Sequence, residues 1–246
     1  MFRNREFLIF LIFVTFLTKL GNSLAIAENV SKKFGVDCNV GYTTFGMEEF
    51  NDYIDEWYVG FLGTSMEHIK GGIAFSGEVK YRLVSNPKIY LMCSGGYISD
   101  KTSGSILFEF FDDGSDKLNL EFHISAIPIL LTGLYVLPAG KLNIHLGGGI
   151  GYYLGKVKRE AKVQTYPELN EETVWDGSQI GFHVLSGVEY YITKRVSLSG
   201  NLMYRLAKID KLEDENGKRV KVGLDQKILK LDFSGLEIKG GVNLYF

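Results

Sequence analysis

Proline is scarce in this 246-residue chain (4 residues), cysteine scarcer still (2), and no apolar stretch reaches the length of a membrane-spanning helix. Such a helix needs roughly 20 apolar residues. The run Phe7 to Leu17 stops well short, and the most apolar later stretch, Ile124 to Leu137, is also short and contains Pro128. A helical span is thereby excluded for the body of the chain. Few prolines beside 29 glycines fit many strands whose backbones approach closely. Basic residues do not outnumber acidic ones, 27 against 29, so the electrostatic signature of a nucleic-acid binder is missing.

The chain opens with the anatomy of a secretory signal. Arg3 and Arg5 form a basic start, Phe7 to Leu17 an apolar segment broken only by Thr15, and Ala25-Ile26-Ala27 a small-x-small cleavage site before Glu28. Residues 1–27 are expected to be a signal peptide and residues 28–246 one domain. Cleavage removes Arg3, Arg5, Lys19 and Glu6, which takes 27 basic and 29 acidic residues to 24 and 28, a net charge of −4.

The far end alternates strictly. Phe246, Leu244, Val242, Gly240, Ile238 and Leu236 share one face, and Tyr245, Asn243, Gly241, Lys239 and Glu237 the other. Aliphatics on one side and charge on the other suit a barrel with lipid outside and a polar lumen. Alternation divides the chain into eight segments: Phe34 to Tyr42, Ile69 to Leu83, Ile89 to Tyr97, Leu118 to Val136, Leu142 to Leu154, Ile180 to Ile192, Val196 to Leu206 and Leu229 to Phe246. In the last, the apolar phase slips near Ser234-Gly235, where a β-bulge is expected. Ile106 to Phe111 reads as an extramembrane extension of the third strand. Cys38 and Cys93 fall on lipid-facing positions of non-neighbouring strands, so both are expected as free thiols.

Joins after the second, fourth and sixth segments are short and the others long. The expected fold is therefore an eight-stranded antiparallel transmembrane β-barrel with short periplasmic turns, four long external loops and a short helix in the first loop. That helix rests on Met47, Phe50, Ile54, Trp57 and Phe61, spaced by three and four residues. It reads as packing on the barrel rim, or as a lid over a ligand vestibule. Asn216-Gly217 reads as a hairpin tip between the last two strands.

The segments Ile124 to Gly140, Gly187 to Thr193 and Asp232 to Phe246 resemble the β-barrel domain of small outer-membrane proteins of diderm bacteria. The resemblance spans essentially the whole mature chain. It implies a cell outer membrane location, surrounding outer-membrane lipid, and periplasmic chaperones and the barrel-assembly machinery as partners during biogenesis. Val242, Leu244 and Phe246 are similar to the family's C-terminal assembly signal. It does not imply one function.

By parity, Asp37, Glu78, Lys80, Arg82, Glu121, Glu189, Arg205, Glu237 and Lys239 point inward, as a structural ion-pair network or as a gate. Gly147, Gly149 and Gly151 face the lumen beside Gly72 and Gly96, leaving room for Tyr153 or Arg82. The GGGIG run lacks the Lys and helix of a phosphate loop. Asp112-Asp113-Gly114-Ser115-Asp116 lacks the spacing of a calcium loop. No cofactor, metal or nucleic-acid partner is expected; an extracellular partner would meet the long loops. Glu121, His123 and Ser125 share a strand face, but too far apart for a triad. Three readings follow: a structural or surface-interaction barrel with a filled lumen, a narrow conduit for small or apolar molecules, and a lipid-modifying enzyme.

Overall fold

The computed structural model describes residues 33–61, 63, 66–110, 114–163, 166–222 and 227–246. Residues 1–27, the expected signal peptide, lie outside these. Eight antiparallel strands close into a barrel in chain order: β1 (Phe34–Thr44), β2 (Gly71–Val84), β3 (Lys88–Phe110), β4 (Gly114–Ala139), β5 (Leu142–Val163), β6 (Glu171–Tyr191), β7 (Val196–Leu206) and β8 (Gly235–Tyr245). Closure is made by β8 on β1, from Gly35↔Tyr245 to Thr43↔Glu237, so the ring has no free edge; above it, β3 beyond Ser99 keeps only β4 as a ladder partner, and β6 before Phe182 runs past the end of its ladder with β7. Three tight turns share one end with both ends of the described chain. At one, Gly140 has φ of 70°; at another, Thr193 Oγ1 accepts from the amides of Arg195 and Val196.

Odd positions of β1, β5, β6, β7 and β8 and even positions of β2, β3 and β4 face inward. The outward set is apolar over the band these strands share. Ile238 is 66% exposed, Phe182 62% and Ile73 56%. Burying one such side chain is worth roughly 1.5–3 kcal/mol, so a belt of dozens is compatible with lipid rather than water. Tyr81, Tyr135 and Tyr190 stand outward near the turn end, and Tyr42, Tyr97 and Tyr152 near the other. Phe34 and Tyr42 mark the two levels on β1, about 26 Å apart along a tilted strand, in keeping with aromatic girdles at two membrane interfaces. Cys38 and Cys93 are free and outward, on strands that do not pair.

The wall is uneven. β3 to β6 run 21 to 26 residues, whereas β1, β2, β7 and β8 run 11 to 14. Two of the four expected long loops are consequently hairpins. β3 and β4 stay paired to Phe110↔Gly114, so Ile106 does belong to an extended third strand, and β5 reaches β6 through the short helical turn Pro167–Leu169. Asp112 and Asp113 lie outside the described residues. The other two connections are true loops. The first carries α1 (Glu48–Ile54) and a π-helical turn, Asp55–Phe61; its apolar spacing and the acids Glu48 and Glu49 at the N-terminal end favour the helix. The last folds on itself through two-residue ladders, Lys208–Ile209 with Leu231–Asp232 and Lys221–Val222 with Lys227–Ile228. Its tip is the expected turn, with Gly217 at φ 72°, but it does not continue β7 and β8 as a plain hairpin.

No β-bulge restores a phase near Ser234-Gly235. Leu231 and Phe233 are inward, as are Glu237 and Lys239 beyond them. The inward face keeps its parity and changes its chemistry.

Candidate functional site: a lumen in two layers

Towards the turn end, the lumen is a dense polar layer. Lys80 pairs with Asp37. The Asn243 amide nitrogen donates to Asp37 at 2.6 Å in the orientation that avoids setting two acceptors face to face. Lys239 donates to Glu78 at 2.6 Å and lies 3.6 Å from Glu237. Glu237 in turn accepts from Arg205 Nη1 at 2.8 Å. Arg205 is fully buried, and it also donates to Thr43 Oγ1 and to the Phe233 carbonyl. Glu189 accepts from Ser197. Two inward histidines sit in this frame, His145 on Asn201 and His183 on Thr132. Seven of the nine expected network residues are thus brought together deep in the barrel. Such charges tolerate burial only when paired and hydrogen-bonded.

The remaining two differ. Arg82 lies half-buried near the turn-side end of β2, where its backbone N–H meets the Lys33 carbonyl at 2.8 Å. Glu121 is not in the lumen at all: it faces outward on β4 and pairs with Lys101 on the outer wall at 3.6 Å. His123 is outward too, bonded to Ser99 at 3.0 Å. The inward residues of that stretch are Leu120, Phe122 and Ile124. Alternation alone makes this apolar face the lipid-facing one, but β4 here stands above the girdle, where the apolar side is the inside.

That apolar interior is the second layer. Phe122, Ile124, Tyr153, Val157, Ile209, Leu231 and Phe233 are each fully buried. The first-loop helix seats Met47, Phe50 and Ile54 in it, with Phe122 edge-on to Phe50 at 5.6 Å and to Tyr58 at 5.2 Å. The side chains of Trp57 and Phe61 lie outside the described residues. Asn51 pins the helix by exchanging two hydrogen bonds with the Ile69 backbone, at 2.9 and 3.0 Å. Lys208 of the last loop reaches Glu49 at 2.7 Å; this contact holds the Glu49 carboxyl below its ordinary value. The glycines make room for packing rather than for water. A Cβ at Gly151 would strike Tyr153 and Leu130, and one at Gly155 would strike Ile209. Tyr53 and Tyr58 fill the layer without being singled out by alternation or helical spacing; the aromatic density of their segment is the signal the sequence offers for them.

The two layers meet inside the barrel. Arg205 stands at the junction, paired to Glu237 below and lying 5.9 Å from the Phe45 ring, which meets Phe233 edge-on. Val242, Leu244 and Phe246 all point outward near the turn end, and Phe246 lies 6.1 Å from Phe34.

No family model matches the sequence, and no curated protein matches it. Solved structures do overlap it. Neisserial surface protein A has 14% identity and a TM-score of 0.43 over 87% of this chain and 97% of its own. The outer membrane protein OprG from Pseudomonas aeruginosa has 11% identity and 0.48 over 87% and 97%. A major outer membrane protein from Thermus thermophilus has 13% and 0.48 over 88% and 100%. By its own closure, parity and apolar belt, the chain is an eight-stranded transmembrane β-barrel of the outer-membrane type.

Proposed function

We propose that this protein is an outer-membrane barrel with a sealed lumen, acting through its external wall and loops in a structural or surface-interaction role rather than as a pore or an enzyme. The observation that carries the reading is the double closure: a buried Asp37–Lys80, Glu78–Lys239–Glu237–Arg205 layer beneath a fully buried apolar layer from Phe122 to Phe233. Moving an ion through the first requires breaking buried pairs, and through the second requires desolvating it. What remains for contact is the tall β3–β6 wall, whose outer face bears the pairs Lys101–Glu121, Lys158–Glu160 and Lys158–Glu172. Residues 28–246 refolded into a planar bilayer, with β-rich circular dichroism as the check on folding, are expected to give no conductance steps. Reproducible steps from folded protein would overturn the reading in favour of a narrow conduit.

A further inference from the structure

On the outer face of the tall wall, a cleft of about 720 Å³ lies across β3 to β6 and the last loop. Its lower rim is the upper aromatic level: Tyr97, Ile127 and Leu154 are 40–45% exposed and belong to the apolar belt. Two residues further along each strand the chemistry changes. Ser125, Lys156 and Asp176 pair in register across β4, β5 and β6, and Glu213 of the last loop bridges to Asp176. Lys211 joins them on the same face. The cleft therefore straddles the height at which lipid tails give way to headgroups.

We propose that this cleft binds the headgroup of a phosphorylated glycolipid of the outer leaflet. Four observations specify the ligand. Lys158, which also lines the cleft, is already neutralised by Glu160 at 2.6 Å and Glu172 at 3.0 Å. Lys156 and Lys211, by contrast, have no side-chain hydrogen-bond or ion-pair partner among the described residues, and their ammonium groups are available to an anion. The carboxylates of Asp176 and Glu213 are equally without side-chain partners there, and they accept hydrogen bonds from hydroxyls, as a sugar supplies and a bare phosphate ester does not. The volume falls in the range that holds a compact organic ligand rather than a lone ion. The acyl chains would descend over Ile127 and Leu154.

The inference rests on the membrane placement proposed above, and the two fail differently. Protein that does not insert into phosphatidylcholine vesicles refutes the placement; protein that inserts yet shows no headgroup preference refutes only the cleft. The test is native mass spectrometry and lipid titration of residues 28–246 in detergent, using a bis-phosphorylated glucosamine glycolipid as the probe. Wild type is expected to retain the probe, and Lys156→Gln/Lys211→Gln to bind it about thirtyfold more weakly, the loss of two lysine contacts to an anionic lipid. Lys101→Gln, on the same wall but outside the cleft, is expected to leave binding unchanged. Circular dichroism confirms that each variant is folded. Equal binding by wild type and the double variant overturns the proposal. So does undiminished binding of the dephosphorylated lipid, or binding of the water-soluble sugar phosphate as tight as that of the lipid.

Discussion

Below Phe233 the lumen is lined by Asp37, Glu78, Lys80, Glu189, Glu237 and Lys239; above it, by Phe122, Ile124, Val157, Ile209 and Leu231. Outside, the order is reversed, with aliphatics and tyrosines at the lower level and the charges of Lys101, Glu121, Lys158 and Glu172 at the upper. The same strands, with the same parity, carry both arrangements. The lower stretch has lipid outside and only side chains to fill a narrow lumen, so polar groups go inward and pair. The upper stretch has water outside and two folded loops inside, so it obeys the ordinary rule for a soluble core. One wall is a membrane protein at one end and a water-soluble protein at the other.

The strongest way to break this comparison is at the junction. Arg205→Ala leaves Glu237 buried with only Lys239 at 3.6 Å and removes the donors to Thr43 and the Phe233 carbonyl. Breaking a buried pair costs about 3–5 kcal/mol. A urea series on vesicle-inserted protein is expected to show a loss of that order; a loss below about 1 kcal/mol, the value of an exposed pair, would mean that the layer is hydrated and the lumen open.

Next comes the inversion on β4, where adjacent residues decide the matter. Phe122→Ala empties a fully buried aromatic site in contact with Phe50 and Tyr58, with an expected cost of about 3–5 kcal/mol. Glu121→Ala loses only the exposed pair with Lys101, worth about 0.2–1 kcal/mol. The reverse ranking in the same unfolding series would restore the all-polar lumen.

That reversal explains what the sequence does and does not disclose. Period-two alternation places the strands, the closed barrel, the turn end and the outward cysteines, because it reports two unlike faces. It does not report which face is inside. Glu78, Lys80, Glu237 and Lys239 lie in the lumen, where lipid is outside; Glu121 and His123, placed inward by the same alternation, lie on the outer wall, where water is. The slip seen at Leu231 and Phe233 has the same cause: parity is constant and the inner environment changes. The helix face of Met47, Phe50 and Ile54 is legible from its spacing, but its seat on Phe122 depends on contacts between residues some seventy positions apart, which local periodicity does not encode. The extended hairpins are hidden because wall residues above the membrane, such as Lys158, Arg159 and Glu160, look like loop.

The gentlest perturbation tests whether the helical stopper is fastened from outside as well as packed from within. Glu49 and Lys208 meet at 2.7 Å across the first and last loops, and the hydrogen bond from Lys208 is the chief cause holding the Glu49 carboxyl below its ordinary 4.5. A carboxyl depressed in the folded state contributes stability that is fully present above its unfolded value and is lost as pH falls through the folded one. Both side chains are substantially exposed, so the contribution is small, about 0.2–1 kcal/mol. Glu49→Gln should therefore raise amide hydrogen exchange across residues 48–54 slightly at neutral pH, and the gap from wild type should close below pH 4.5. A gap that persists unchanged in acid would mean that the ion pair does not hold the helix, leaving the buried face of Met47, Phe50 and Ile54 as its attachment.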